Sequence, residues 1–348
     1  MVIEFYLHKK YIMQKIIQSF LMTILFFMFS SCSEERLINE PGNLVPKTVL
    51  EDSSLSQITV NGVKLHSEAF GNPSHTMVVV VHGGPGGDYR YLLNCKELAD
   101  QGYYVVFYDQ RGSGLSQRLA DHVYLDRGIE AISDLYIELR GVIEHYKTSP
   151  TQKVVLLGHS WGGILASGFA GSYPNLINGL VVCEPGGLKW NDIKYYVEKS
   201  RSFKLWSELS NDAAYMDQFL TGNKNDHEIL DYKLNLLASK NDITDEDNTK
   251  PSSFWRSGGV IITTLFEIAE NYNPDFSENL QNFTPNTLFF YSDKNRAYPT
   301  SWANKIGTSF SSVTINRING VGHDGIISNQ QVWQQQTMPR IIQYIQSL

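Results

Sequence analysis

Gly158-His159-Ser160-Trp161-Gly162-Gly163 is the stretch on which the reading of this chain turns. It follows an apolar run, Val154-Val155-Leu156-Leu157, and opens a small-residue run, Ile164-Leu165-Ala166-Ser167-Gly168. The pattern is that of a buried strand, a sharp turn and a helix, with a serine at the tip. A Cβ on either side of so tight a turn would collide with the strand or the helix, so glycine stands there. The strained turn holds the Ser160 hydroxyl above the sheet. It lies beside a helix N-terminus whose free amides and dipole favour negative charge.

A serine hydroxyl is a weak nucleophile and needs a base, which in turn needs an acid to fix its tautomer. Nine histidines are present. His323 is singled out by Gly320-Val321-Gly322-His323-Asp324-Gly325, a flexible loop between the last strand and the last helix. Asp324 is its chain neighbour and should point away. Asp293, in Tyr291-Ser292-Asp293, ends the penultimate strand and is the first candidate for the acid. Glu184, at the end of the strand after the elbow helix, is its rival. The chain order Ser160, Asp293, His323 is a known order for such triads.

Two more loops belong to the same edge. Met77 to Val81 is a continuous β-branched strand that runs into His82-Gly83-Gly84-Pro85-Gly86-Gly87, where backbone amides can approach a ligand closely. Tyr103 to Tyr108 is a strand that runs into Asp109-Gln110-Arg111-Gly112-Ser113-Gly114-Leu115-Ser116. Asp109 precedes the elbow, so it and Arg111 are read as loop organisers, with Ser113 and Ser116 as turn residues.

HGGPGG at 82–87, DQRGSGLS at 109–116 and GHSWGG at 158–163 resemble the proline iminopeptidase group of α/β hydrolases. The likeness is close in the N-terminal half of the core. In the C-terminal half it rests on the placement of Asp293 and His323. It implies an α/β-hydrolase fold, a mostly parallel sheet with helices on both faces and a helical cap. It also implies an oxyanion hole from Gly84 (or Gly83) and Trp161, no cofactor and no metal, and release of N-terminal proline from short peptides. In that group cap acids bind the substrate ammonium. Glu208, Asp217, Glu267 and Glu270 are acids of the cap here, with no motif to choose among them, and Phe254 and Trp255 are aromatic candidates for a proline pocket. The alternative is an esterase, lactonase or amidase with the same triad. A catalytically idle binding protein would not need nucleophile, base, acid and glycine loop together. An epoxide hydrolase would carry Asp at position 160.

The rest of the 348 residues fits one such unit. Residues 1–32 read as a signal peptide, with Lys9, Lys10 and Lys15 before an apolar run and Met13 as an alternative start. Phe29-Ser30-Ser31-Cys32 resembles a bacterial lipobox, which implies a lipid on Cys32 and a place in the cell envelope. Residues 33–52 are a polar tether, 53–187 the first part of the core, 188–285 the helical cap and 286–348 the second part of the core. Ile58 to Phe70 reads as a hairpin about Asn61-Gly62. Ile129 to Tyr146 carries helical apolar spacing. Tyr91 to Gln101 and Asn329 to Leu348 read as helices, the latter kinked or split at Pro339. Net charge is −7 without a basic cluster after the N-terminus, which disfavours nucleic acid as a partner. Cys95 and Cys183 could pair by count, but lie in apolar segments and read as buried free thiols.

Overall fold

Runs of β-branched and aromatic residues need cover on both faces, and the sheet provides it. The computed structural model describes residues 44–200, 226–238 and 255–348. Its strands are β1 (Gln57–Val60), β2 (Val63–Phe70), β3 (Met77–Val81), β4 (Tyr104–Tyr108), β5 (Val154–His159), β6 (Gly179–Cys183), β7 (Thr287–Ser292) and β8 (Val313–Ile318). They form one sheet in the order β1-β2-β4-β3-β5-β6-β7-β8. β1 pairs antiparallel with β2, and β2 with β4; every later pair is parallel. The expected signal peptide, Cys32 and most of the tether lie outside the described residues. Among the described residues no helix is long and apolar enough to cross a membrane.

Alternation along the strands divides the core. Val79, Val81, Val106 and Leu156 face α1 (Glu130–Tyr146) and α2 (Trp161–Ser172), where Leu135, Leu139 and Phe169 are buried. Val78, Val80, Val105 and Leu157 face the opposite layer, built from Leu92, Leu98, Trp333, Ile341 and Ile345. Both faces are apolar because both are covered. Removing a buried leucine side chain from such a layer costs about 2–5 kcal/mol.

The hairpin turns at Asn61 and Gly62, both at positive φ (+49° and +76°), as the Asn-Gly pair favours. The expected helix 91–101 is a 3-10 helix, Arg90–Lys96, followed by one α turn, Glu97–Asp100. The expected C-terminal helix is split. Gln330–Val332 and a π-helical turn, Trp333–Thr337, precede Met338–Ser347, where Pro339 sits in the first turn and needs no amide partner. Among the described residues, the α-helices α3 (Trp190–Ser200), α4 (Asp226–Ala238) and α5 (Gly259–Tyr272) lie between β6 and β7. Cys95 and Cys183 are buried free thiols.

The loop after β4 is tied to this frame by charge. Arg111 Nε donates to Glu138 Oε2 at 2.9 Å, and the Arg111 amide donates to Glu138 Oε1 at 3.0 Å. Burial pushes the Glu138 carboxyl up in pKa while Arg111 opposes it. Removing the guanidinium would strand a fully buried carboxylate. We expect Arg111→Met to lower unfolding free energy by about 3–5 kcal/mol in guanidinium titrations. A loss below about 1 kcal/mol would show that the pair contributes little.

Candidate active site

Ser160 occupies φ +55°, ψ −123°, a backbone conformation that a residue with a side chain holds only when its surroundings enforce it. The enforcement is steric and visible. A Cβ on Gly162 would lie 2.0 Å from the Val81 carbonyl oxygen, and one on Gly158 would lie 2.3 Å from the Gly162 carbonyl oxygen. α2 therefore starts in direct contact with the ends of β3 and β5. The Ser160 amide donates to Cys183 O at 2.9 Å, which joins the elbow to the end of β6.

The glycine loop after β3 passes just as close. A Cβ on Gly83 would lie 2.7 Å from the Tyr91 hydroxyl and 3.0 Å from Ser160 Cβ. Gly84 has φ +130°, which suits glycine alone. Gly84, Ser160 and Trp161 line one cavity. Trp161 is the first helical residue of α2, whose amide has no partner within its own helix. Both expected oxyanion donors thus border the space in front of Ser160.

The floor is held by directional hydrogen bonds. Gln110 N–H donates to His82 Nε2 at 3.0 Å, Gln110 Nε2 donates to His82 O at 2.9 Å, and Trp161 Nε1 donates to Gln110 Oε1 at 3.0 Å. His82 Nδ1 then donates to Gly83 O at 2.8 Å. Asp109 accepts from the Tyr89 and Leu115 amides at 3.1 and 2.8 Å, and Ser116 Oγ donates to Asp109 O at 2.6 Å. Asp109 and Arg111, expected as loop organisers, and Ser113 and Ser116, expected as turn residues, are all buried. Gln110, inside the same motif, is the residue that links the two loops, a role that no local sequence pattern marks.

The acid beside His323 is Glu184, and Asp293 is corrected. Glu184 Oε2 accepts from His323 Nδ1 at 2.6 Å. The carboxylate is fully buried and also accepts from Ser292 N, Ser292 Oγ and Asn295 Nδ2 at 2.5, 2.6 and 2.8 Å. Glu184 stands at φ +43°, which turns it out of β6 and under His323. Asp293 instead accepts from Gly320 N–H at 2.8 Å and lies 3.8 Å from Arg317 Nη2. It closes the turn after β8. Ser292, one residue earlier and the last of β7, presents its amide and hydroxyl to Glu184. Asp324 does not point away: one of its oxygens lies within 4.8 Å of ring nitrogens of His159 and His323.

Two further residues meet His323. Tyr196 Oη is 3.3 Å from His323 Nδ1 and accepts from Asn295 Nδ2 at 3.1 Å. The His159 ring lies tilted by 48° against the His323 ring, 4.5 Å between centroids, and its Nε2 is 3.0 Å from the His323 carbonyl oxygen. Burial, reinforced by the neighbouring His323, holds the His159 pKa well below its usual value. His159 and His82, whose pKa burial also lowers, are thus neutral residues inside the frame.

The cavity is apolar. It measures about 60 Å³, and its walls include Ile132, Ile164, Ile193, Leu265, Phe266 and Phe276. Among the described residues no charged side chain lines it. Of the expected ammonium ligands, Glu208 and Asp217 lie outside the described residues, as does Phe254. Glu267 is exposed, and Glu270 accepts from Lys194 Nζ at 2.6 Å and Trp190 Nε1 at 3.4 Å. Trp255 packs against Tyr89 and under Arg90 rather than in the cavity wall.

Comparison with known proteins places these features in a family. Residues 72–324 match the serine aminopeptidase S33 family. A proline iminopeptidase of Saccharolobus solfataricus is 36% identical over 138 residues, 39% of this chain and 40% of that protein. Epoxide hydrolase 1 of Caenorhabditis elegans is 31% identical over 161 residues, 45% of this chain and 37% of that protein. The matches thus span about two-fifths of the length of these curated relatives. The structure of VinJ superposes with a TM-score of 0.59 at 18% identity, over 84% of this chain and 98% of that one, which shows the shared fold.

The neutral state of His159 has a measurable consequence. Its folded pKa is depressed below 6.5, so as pH falls through that value the unfolded chain takes up a proton that the folded chain refuses. Stability from this residue is complete above the window and is lost as pH falls, by up to about 1.4 kcal/mol per pH unit. We expect the stability gap between wild type and His159→Gln to narrow between about pH 7.5 and 5. A gap that stays constant in calorimetry would contradict a neutral His159.

Proposed function

The chain belongs to the serine aminopeptidase S33 family of α/β hydrolases, and on that premise we propose that it is a serine hydrolase acting through Ser160, His323 and Glu184 on small apolar acyl groups. The observation that carries this reading is the 2.6 Å bond from His323 to buried Glu184 beside an elbow serine that opens on an apolar cavity. His323 Nε2 takes the Ser160 proton as Oγ attacks the substrate carbonyl. The Gly84 and Trp161 amides receive the developing oxyanion, and each such donor is worth about 10²–10³ in rate. The intermediate collapses as His323 returns the proton to the leaving amine or alcohol. Water then repeats the sequence on the acyl-enzyme. Glu184 keeps Nδ1 protonated and steadies the imidazolium.

The substrate we propose is a short peptide with N-terminal proline. The methylenes of the pyrrolidine ring are compact and apolar like the cavity, and a relative 36% identical over 138 residues bears the name proline iminopeptidase. The uncharged walls favour a second reading, an ester, lactone or amide that carries no amine. As a further part of the proposal, the lipobox-like Cys32 anchors the domain in a bacterial envelope.

We expect Pro-naphthylamide to be cleaved faster than Ala- or Leu-naphthylamide. Ser160→Ala should be inert, and Glu184→Gln reduced about 10⁴-fold in kcat. Asp293→Asn should stay close to wild type. Turnover of short nitrophenyl esters with all aminoacyl amides inert would select the second reading. An Asp293→Asn loss matching that of Glu184→Gln would return the acid's role to Asp293. Palmitate incorporation that persists in Cys32→Ala would remove the anchor.

A further inference from the structure

A second relay runs behind the first. The Gly83 amide donates to the Tyr91 hydroxyl at 2.8 Å, and the Tyr91 hydroxyl lies 2.8 Å from His159 Nδ1. His159 Nε2 lies 3.0 Å from the His323 carbonyl oxygen. The directions are set by chemistry. An amide can only donate, so Tyr91 Oη accepts from Gly83. The His323 carbonyl can only accept, so the neutral His159 ring carries its proton on Nε2, and Nδ1 accepts from the Tyr91 hydroxyl. Every bond points the same way, from the glycine loop to the backbone of the base.

We propose that Tyr91 and His159 are positioning residues that lock the oxyanion loop and His323 into one register. The inference rests on the reading of Ser160 and His323 as nucleophile and base. Gly83 is squeezed between the Tyr91 hydroxyl and Ser160 Cβ, so the place of Gly84 depends on where Tyr91 stands. Tyr91 is buried beneath the loop, its ring edge-on to His159 at 5.2 Å. At the other end, the His323 backbone has a fixed donor and its Nδ1 a fixed acceptor in Glu184, so the ring has little freedom to swing. Among the described residues, Glu184, Tyr196, His159 and Asp324 are titratable groups that face His323. The cluster of His159, His323 and Asp324 is close enough to suggest a cation site, but both His159 nitrogens are committed to Tyr91 and to His323.

The role predicts an asymmetry. Without the tyrosine hydroxyl, His159 is free to move its proton to Nδ1, and Nε2 then turns a lone pair on the His323 carbonyl. Gln at 159 keeps a side-chain N–H at the distance of Nε2; Ala does not.

An alkyl fluorophosphonate probe tests this without knowledge of the substrate. Ser160 Oγ forms a bond to phosphorus, fluoride leaves, and His323 takes the serine proton. The rate and its pH profile would be measured on the whole protein for wild type, Tyr91→Phe, His159→Ala and His159→Gln, with melting temperatures alongside. We expect Tyr91→Phe and His159→Ala to label about 10–100-fold more slowly, since a small misplacement of a catalytic group has effects of that size. The acid limb should move to lower pH, because an imidazole held less well against Glu184 loses its proton more readily. His159→Gln should recover most of the rate. Wild-type rates in both Tyr91→Phe and His159→Ala overturn the inference. So does a slowing with an unmoved acid limb and no recovery in His159→Gln, which would mean packing alone. A wild type that is not labelled at Ser160 overturns the catalytic reading itself.

Discussion

The contact between the first turn of α2 and the ends of β3 and β5 is the constraint on which the site depends. It leaves no room for a single carbon at Gly158 or Gly162, and it forces Ser160 into positive φ. The sheet tolerates this because its centre is buried on both faces, so the strained residue sits on the most rigid part of the molecule. Once the helix starts there, its free N-terminal amides face the same space as the serine hydroxyl. Nucleophile and anion-stabilising dipole are thus consequences of one close approach.

A closely fitted turn needs its neighbours held as tightly, and buried polar groups supply that. Gln110 bonds to His82 through both its amide and its side chain and to Trp161 through its side-chain oxygen. Asp231 in α4 accepts from Arg118 and Arg256 at 2.9 and 2.7 Å and from the Gly259 amide at 2.8 Å. The first network joins the two loops at the strand ends; the second joins the helical insertion to the loop after β4. Both are fully hydrogen-bonded, the condition under which buried polar groups rigidify rather than destabilise.

Most of this was legible wherever a local pattern carried it. Apolar runs located the strands, Asn61-Gly62 the hairpin, and the glycines around Ser160 the elbow. The acid was not, because chain order ranks Asp293 first and says nothing about backbone twist. What decides for Glu184 is its left-handed conformation together with three donors from 292 and 295, more than a hundred residues away. Tyr91 read only as a helix residue, and its bond to His159 spans 68 positions. The helical insertion gave no motif for a substrate amine. The cavity walls come from residues scattered between 84 and 276, so no stretch of sequence could have shown that they are uncharged.

Those uncharged walls constrain how a substrate can lie. Each methylene buried there contributes about 0.8 kcal/mol, whereas an unpaired ammonium placed among Ile164, Leu265 and Phe276 would cost several times that. A prolyl substrate, if that is what the site takes, would point its ring carbons inward and keep its ring nitrogen on the side of the carbonyl that Ser160 attacks. Under the proposed prolyl reading, ring burial would fix the acyl side, and the leaving peptide would contribute little to selection. Discrimination by such a pocket is by shape, worth only 1–3 kcal/mol or so per methylene. On the proposed reading the apolar cavity would favour compact acyl groups, and selectivity for a free N-terminus would have to come from a polar group outside its walls.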